Sequence, residues 1–418
     1  MTLLLIALKS ARFRKTSLLL TVLTIAISAT LLLGVDKIRK ESRESLFNTV
    51  SGTDLIVGAR SSPTNLLLYS VFRIGNATNN VSWETYESIA EQEEVAWTIP
   101  ISLGDSHRGF RVMGTSTDYF DFYRYGNKKA LTLDSGERFD DVYDTVLGAD
   151  VARELGYEIG DEIIVSHGIT DADFAAHDDK PFTVVGIFDR TGTPVDRTVH
   201  VSLAGIEAIH IDFRDGGRTG VQLDADQALL FDLTPTSITA FMIGLENRAQ
   251  TFTLQREINE FQAEPMSAIL PGATLSDFWR TISPVEQVLF VISGFVLLAG
   301  LLGMLTTILS TLNERRREIA VLRAIGARGR HIVMLIVLET LLVVTAGCAL
   351  GVAALYALMA AARSTVARRY GVDLAATGLD STQLGIIGGV IAAAVVVSLI
   401  PAFIAYRRSI QDGLSLKV

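Results

Sequence analysis

The sequence predicts an integral membrane protein of four transmembrane α-helices, arranged one plus three, with a large α+β extracytoplasmic domain of two lobes inserted between helices 1 and 2. Three observations predict it. First, four apolar runs occupy residues 16–35, 288–312, 332–359 and 384–406, and Glu339 is the one charged residue inside them. Each run meets the roughly 20 residues a helix needs to cross a hydrocarbon core about 30 Å thick. Second, residues 36–287 between the first two runs are polar and numerous enough to fold around a core of their own. Third, the basic residues are clustered in short segments beside the runs, where they set orientation.

Composition agrees with this class. Apolar residues make up 49% of the chain, and the mean hydropathy is +0.35, above the usual soluble mixture. The single cysteine, Cys348, lies in the third run, so the outer domain has no intrachain disulfide and depends on its core.

Residues 1–15 open the chain as a cytoplasmic amphipathic segment. Leu3, Leu4, Ile6 and Leu8 precede Lys9, Arg12, Arg14 and Lys15, the pattern of a short helix lying on the inner membrane surface. The first run is longer than a usual signal-peptide core and reads as an uncleaved anchor. The 313–331 loop carries Arg315, Arg316, Arg317, Arg323, Arg328 and Arg330 against Glu314 and Glu318. The tail is basic as well, with Arg407, Arg408 and Lys417. Short basic loops stay cytoplasmic, so both termini and the 313–331 loop are inside, and the 36–287 domain and the 360–383 loop are outside. Residues 36–287 hold 21 Lys and Arg against 40 Asp and Glu. So acidic an exterior disfavours nucleic acid as a partner.

Within the outer domain, residues 36–50 continue the first helix. Strand patterns follow at 54–58, 96–103, 109–114, 145–147, 162–166, 182–188, 199–202 and 237–245. Helical patterns cover 81–94, with Ser82 as N-cap, 150–155, ending near Gly156, and 251–261. Residues 134–144 and 211–232 read as lobe junctions or surface excursions. Trp279, Pro284 and Glu286 mark the return to the membrane.

The most specific segment is NERRREIAVLRAIGARGR, residues 313–330. Asn313 can cap a helix, Ile319, Leu322 and Ile325 form an apolar strip, Arg316 and Arg323 share a polar face, and Gly326 can end the helix. One reading is ordinary positive-inside charge with snorkelling arginines. The other is a lever that docks on a cytoplasmic partner.

This segment, with Glu339 in the third run and Pro401-Ala402 then Arg407-Arg408 at the end, resembles the FtsX-like permease domain (residues 288–410) of ABC transporters of the MacB, lipoprotein-releasing and cell-division type, the type VII superfamily. The segments VLGADVARELGYEIGDEI (146–163) and PFTVVGIFDRTGTPVDRTVHVSL (181–203) resemble the MacB-like periplasmic core domain. The resemblance implies a coupling helix that binds an ABC ATPase subunit through Glu314, Arg315, Arg316, Arg317, Glu318, Ile319, Leu322, Arg323, Ile325 and Gly326. It also implies a homodimer or a dimer with a similar permease, a periplasmic adaptor, binding protein or lipoprotein as further partner, and a bacterial inner membrane location. No Gly-Lys dipeptide occurs, so no Walker-type phosphate loop is present. The chain is therefore expected to be non-catalytic and to hold no cofactor, with ATP and Mg bound by the partner ATPase. The implied function is mechanotransmission: ATP hydrolysis elsewhere drives export or extraction of a substrate, lipoprotein or peptide. The alternatives are a metal or small-solute uptake component, and a membrane-anchored envelope sensor or enzyme without an ATPase.

Two further sets of residues stand out. Inside the membrane, Gly347 and Gly351 form a small-xxx-small pattern that allows close helix contact. Glu339 is a functional candidate because it is ionisable. Its partners are Thr306, Thr307 or Ser310 on the second helix, or it reaches Arg328 or Arg330 at the headgroups. Outside, His167, Asp171, Asp173 and His177 concentrate ligand atoms that suit zinc, but at no standard spacing. They read as a solvated acidic loop rather than a metal site, and His200 and His210 could join only through folding.

This topology makes a direct prediction. Cysteines placed at Asp178 and Thr377 will react with an impermeant thiol reagent added outside intact cells, and one at Ser415 will not. Labelling of Ser415→Cys contradicts four spans.

Overall fold

A computed structural model describes residues 15–168, 177–214, 217–218, 223–314, 321, 323–370 and 378–411. The chain divides into two compact units. One is drawn from Met1–Glu41, Ile282–Ser364 and Leu374–Val418, the other from Ser42–Thr281 and Thr365–Asp373.

The first unit is helical. Four helices are long and apolar enough to cross a membrane: α1 (Lys15–Thr49), α2 (Pro271–Glu314), α3 (Gly329–Tyr370) and α4 (Ser381–Gln411). Helix α1 runs past residue 35 to Thr49, as its Gly- and Pro-free continuation predicts. Asn313 is itself helical, in the last described residues of α2, and the helix it was expected to cap lies mostly outside the described residues. One expectation fails at a helix end: the loop expected from residue 360 is helical as far as Tyr370.

Small residues let these helices approach closely. A Cβ added at Gly347 would meet Ile25 Cγ2 at 2.8 Å, and one at Gly351 would meet the Ala26 carbonyl oxygen at 2.7 Å. Thr30 Oγ1 donates across this contact to the Gly351 carbonyl at 3.0 Å. Helix α1 meets α2 similarly: Gly300 lies against Ser28 and Thr24, and Ser28 Oγ donates to the Val296 carbonyl at 3.3 Å. Apolar packing around these contacts joins Ile25, Ala29 and Leu32 to Leu301 and Met304, to Val344 and Cys348, and to Val390 and Ala394. Lipid offers no hydrophobic drive between helices, so contact area and interhelical hydrogen bonds carry the association. Beyond the apolar stretch of α1, Lys40 Nζ sits 3.1 Å from Asp36 and 2.6 Å from Asp380. Asp380 also accepts from the Gln383 N–H, and the Gln383 side chain accepts from the Asp380 N–H, a capping box that starts α4.

The second unit is built on an 11-stranded mixed sheet. In chain order its strands are β1 (Leu55–Ala59), β2 (Val95–His107), β3 (Phe110–Thr115), β4 (Leu133–Gly136), β5 (Asp144–Leu147), β6 (Glu162–Ile163), β7 (Ser166–His167), β8 (Phe182–Phe188), β9 (Thr198–Ser202), β10 (Ala240–Leu245) and β11 (Met266–Ile269). Their spatial order is β11-β1-β10-β2-β3-β9-β5-β8-β4, with β7 added to β2 and β6 to β8. Strand β1, fully buried along its length, reads as an uninterrupted apolar run; β8 alternates buried and half-buried, the period of a strand with one sheltered face. Arg108 and Gly109, both at positive φ, form the two-residue turn that joins β2 to β3.

The two expected lobes share this sheet. One gathers β1, β10 and β11 with helices Trp83–Ala90 and Thr251–Asn259 around Leu55, Phe241, Ile243 and Leu254. The other gathers β3, β5, β8 and β9 with helices Ala149–Leu155 and Leu203–His210 around Val112, Leu147, Phe182, Val199 and Ile209. Ser82 caps Trp83–Ala90 through Thr85 N, where the sequence places it, and Gly156 in the left-handed region closes Ala149–Leu155. The helix Pro63–Ser70, capped by Ser62, is an element the hydropathy pattern alone does not reveal.

The Gly351 contact has a measurable consequence. Gly351→Leu forces a side chain onto backbone, and overpacking of this kind costs about 1–3 kcal/mol. The detergent-solubilised variant will melt at lower temperature than the wild type. Gly303→Ala, at a position with nothing within 4 Å of the added Cβ, will not.

Candidate functional site

Three sets of residues were singled out by sequence. In the 313–331 segment, Arg315, Arg316, Arg317, Glu318, Ile319 and Leu322 lie outside the described residues. Glu314 is the last residue of α2. Arg323 is exposed, and so are Val321 and Ile325, the latter at 80%. The Ile325 N–H donates to the Val321 carbonyl and the Gly326 N–H to that of Arg323. Gly326 then takes φ +98°, which stops a helical turn.

In the membrane unit, Glu339 lines a cavity of about 30 Å³ with Ser17, Thr21, Thr307, Thr311 and Thr340. Thr307 is among the partners expected from sequence. Thr21 and Thr311 are additional, and the hydroxyls of Thr21, Thr307, Thr311 and Thr340 each donate to a carbonyl of their own helix. Gly347 and Gly351 lie in the α1–α3 contact.

In the outer unit, folding assembles a cluster of imidazoles. His167, His177 and His210 each offer one ring nitrogen, and these atoms lie within 4.8 Å of one another. The rings of His167 and His210 stack at 4.6 Å and 11°, while His177 stands edge-on to both, at 4.7 and 5.3 Å. Asp171 and Asp173 lie outside the described residues. The reading of this stretch as a solvated loop does not hold for His177, which is fully buried.

Local structure explains the convergence. The register of β2 against β3 shifts between Leu103 and Ser106. At Asp105 and Ser106, β2 also pairs with β7, placing His167 directly opposite Asp105, while Ser106 keeps its pairing with Arg111 of β3. Asp105 Oδ1 then lies 3.1 Å from His167 Nδ1 and 3.5 Å from His210 Nε2. The His177 N–H donates to the Val165 carbonyl, fixing the return of the chain beside β7. His210 is the last residue of Leu203–His210, a helix capped by Ser202. A buried ion pair joins the last two pieces. Lys180 Nζ is 2.8 Å from Asp212 Oδ1, with both side chains out of solvent, so residues three past His177 and two past His210 are bound together.

Electrostatics separate the roles. Burial lowers the His177 imidazole to about 4, and His210 and His167 beside it add to the fall. His177 is therefore neutral near pH 7 and keeps a lone pair to donate. Burial acts to raise the Asp105 carboxyl, but hydrogen bonds from His167 and His210 outweigh it and hold it well below the usual carboxylate range. The nearby His107 uses both ring nitrogens inside the protein, 2.6 Å from the Ile164 carbonyl and 2.9 Å from the Tyr157 hydroxyl. His200 lies apart, stacked on Tyr119 with Nδ1 3.3 Å from the Val146 carbonyl. Gly104 and Gly168, neighbours of Asp105 and His167, line a cleft of about 330 Å³ with Asn76, Asn80 and Arg111. Asp105, Lys180 and Asp212 were missed by sequence reasoning, because their partners stand tens of residues away with no local spacing to mark them.

Comparison with known proteins gives matches to both units. The FtsX-like permease C-terminal family matches residues 290–410, and the MacB-like periplasmic core domain family matches residues 18–261, more than half of the chain. The macrolide export ATP-binding/permease protein MacB of Salmonella choleraesuis (strain SC-B67) is 22% identical over 266 residues, 62% of this chain. The chain spans 37% of the length of that relative. The periplasmic region of MacB from Actinobacillus actinomycetemcomitans aligns at 10% identity and a TM-score of 0.34, covering 56% of this chain and 94% of that one. The extracellular domain of the noncanonic ABC-type transporter YknZ from Gram-positive bacteria aligns at 13% identity and a TM-score of 0.31, covering 52% and 99%.

The buried ion pair is open to a direct test. Lys180→Met leaves Asp212 without its cation, and breaking a buried pair costs about 3–5 kcal/mol. Thermal or denaturant unfolding of the outer domain will show that loss in Lys180→Met. The double variant Lys180→Met/Asp212→Leu will recover part of it, because the fully buried pair is gone while Asp179, 3.3 Å from Lys180 Nζ, keeps its charge.

Proposed function

This chain belongs to the FtsX-like permeases with a MacB-like periplasmic core domain, and we propose that it is the membrane subunit through which a separate ABC ATPase performs conformational work outside the membrane. The observation that carries the proposal is that the MacB-like match covers α1 and the α+β domain, and the FtsX-like match the three C-terminal helices, of a single chain. ATP and Mg belong to the partner ATPase, and this subunit is non-catalytic. It resides in the bacterial inner membrane with both termini cytoplasmic, and works as a homodimer or beside a similar permease.

The mechanism is transmission rather than conduction. The division between the two units falls inside α1, at Glu41 and Ser42, and inside α2, at Thr281 and Ile282. A hydrogen-bonded helix is stiff along its axis, so displacement of its cytoplasmic end is carried to its far end. The cavity beside Glu339, at about 30 Å³, is suited to a water molecule rather than to a solute. Closure of the ATPases pushes on the 313–331 segment, α1 and α2 carry the motion, and the outer domain acts on a periplasmic substrate, lipoprotein or partner protein. The sequence strip of Ile319, Leu322 and Ile325, of which Ile325 is exposed, is what the ATPase groove receives, with Glu314, Arg316, Glu318 and Arg323 at its polar edge.

The test is a charged residue in that surface. Leu322→Asp or Ile325→Asp puts an unpaired carboxylate into a desolvated contact, a cost of several kcal/mol. Each will abolish co-purification of the ATPase or uncouple its hydrolysis from transport, while the outer domain stays folded. Arg328→Ala will do little, because exposed ion pairs are worth about 0–1 kcal/mol. Full ATPase association and full activity in Leu322→Asp and Ile325→Asp contradict the proposal.

A further inference from the structure

We propose that His167, His177 and His210, backed by Asp105, bind a divalent transition-metal ion of the zinc class on the outer domain. The inference stands on the imidazole cluster and does not depend on the permease reading.

Donor chemistry selects the ion. Imidazole nitrogen suits zinc and its neighbours in the first transition row, whereas calcium and magnesium favour oxygen ligands. Zinc–nitrogen bonds of about 2.0–2.1 Å place tetrahedral ligands about 3.3 Å apart. The three nitrogens already lie within 4.8 Å of one another, so side-chain rotation closes the difference without moving backbone.

Asp105 acts from behind the ligands. Its Oδ1 takes His167 through Nδ1 at 3.1 Å and His210 through Nε2 at 3.5 Å. Each of the three imidazoles then offers the ion one ring nitrogen, with His177 as third ligand and water in the fourth position. A carboxylate that accepts from the second nitrogen of a ligating imidazole fixes its tautomer and raises its basicity. Scaffold and access agree with this. The ligands come from β7, from the chain entering β8 and from the C-terminal end of Leu203–His210. The Lys180–Asp212 pair, 2.8 Å apart and out of solvent, holds the last two together. His167 and His210 keep side-chain exposures of 34% and 27%, so an ion reaches the site from solvent.

The experiment uses the full-length protein in detergent, stripped with a chelator and titrated with zinc chloride in a calorimeter. The wild type will take up one zinc ion per chain, and neither magnesium nor calcium will compete. Asp105→Asn will weaken binding about 10- to 100-fold, as loss of an outer carboxylate does elsewhere, and His167→Ala and His210→Ala will weaken it further. Because those two side chains are half-exposed, their variants decide the question even if His177→Ala fails to fold. Zinc will raise the melting temperature of the wild type and not that of His167→Ala, whose metal-free melting temperature will match the wild type. Cobalt in place of zinc will give the intense visible absorption of a tetrahedral site, and Asp105→Asn will shift it. Absence of a one-to-one site in the wild type, or an unchanged affinity in His167→Ala and His210→Ala, overturns the proposal. No ATPase enters these measurements, so failure here leaves the permease reading untouched, and failure of ATPase binding leaves the metal site untouched.

Discussion

The close approach of α1 to α3 at Gly347 and Gly351 is the contact on which the membrane unit depends. Helix α1 is separated from the other three in sequence by the whole outer domain, yet it lies at the centre of their packing. Residues 347 and 351 touch the backbone of α1, where any side chain would hold the helices apart. In lipid that distance matters more than in water, because association rests on van der Waals contact and hydrogen bonds such as Thr30 to Gly351. The chain enters the outer domain from α1 and leaves it through α2, and these helices touch at Gly300. One bundle therefore holds both ends of the domain.

A comparable constraint orders the outer domain. Its acidic composition would favour a loosely solvated surface, but the sheet buries long apolar strands at its centre, with one core running across it from Ile56 and Met242 to Val146 and Phe188 and two further clusters beside it. Two sets of buried polar groups are partnered. Lys180 and Asp212 are desolvated together, and Asp105 is held against two imidazoles. A buried pair of this kind is weak as a source of stability and strong as a fixer of position, since only one arrangement satisfies both charges. Its effect is to bring together residues that the sequence scatters over more than a hundred positions.

What the sequence reveals follows the range of the physics involved. The four apolar helices are legible because the bilayer requires uninterrupted apolar runs of a set length. The Ser82 cap and the Gly156 stop are legible because a cap acts within a few residues. The strand at 182–188 is legible from its alternation. The helix Leu203–His210 is hidden because β9 runs straight into it, and eight apolar-rich residues with a glycine fit either period. The imidazole cluster is half legible. His167 and His177 stand out in the sequence, but Asp105 reaches them only through a strand pairing that follows a shift of register in β2.

Under the proposed function, the outer domain is the moving part and the apolar bundle its transmission. The most direct measurement is the distance between spin labels at Glu93, exposed on the outer domain, and Thr382, exposed at the start of α4, in the permease reconstituted with its ATPase in lipid nanodiscs. Trapping the ATPase in its ATP-bound state is predicted to shift the distance distribution, and hydrolysis to restore it. An identical distribution in every nucleotide state, in a complex that transports and hydrolyses ATP, would contradict transmission of force through this chain.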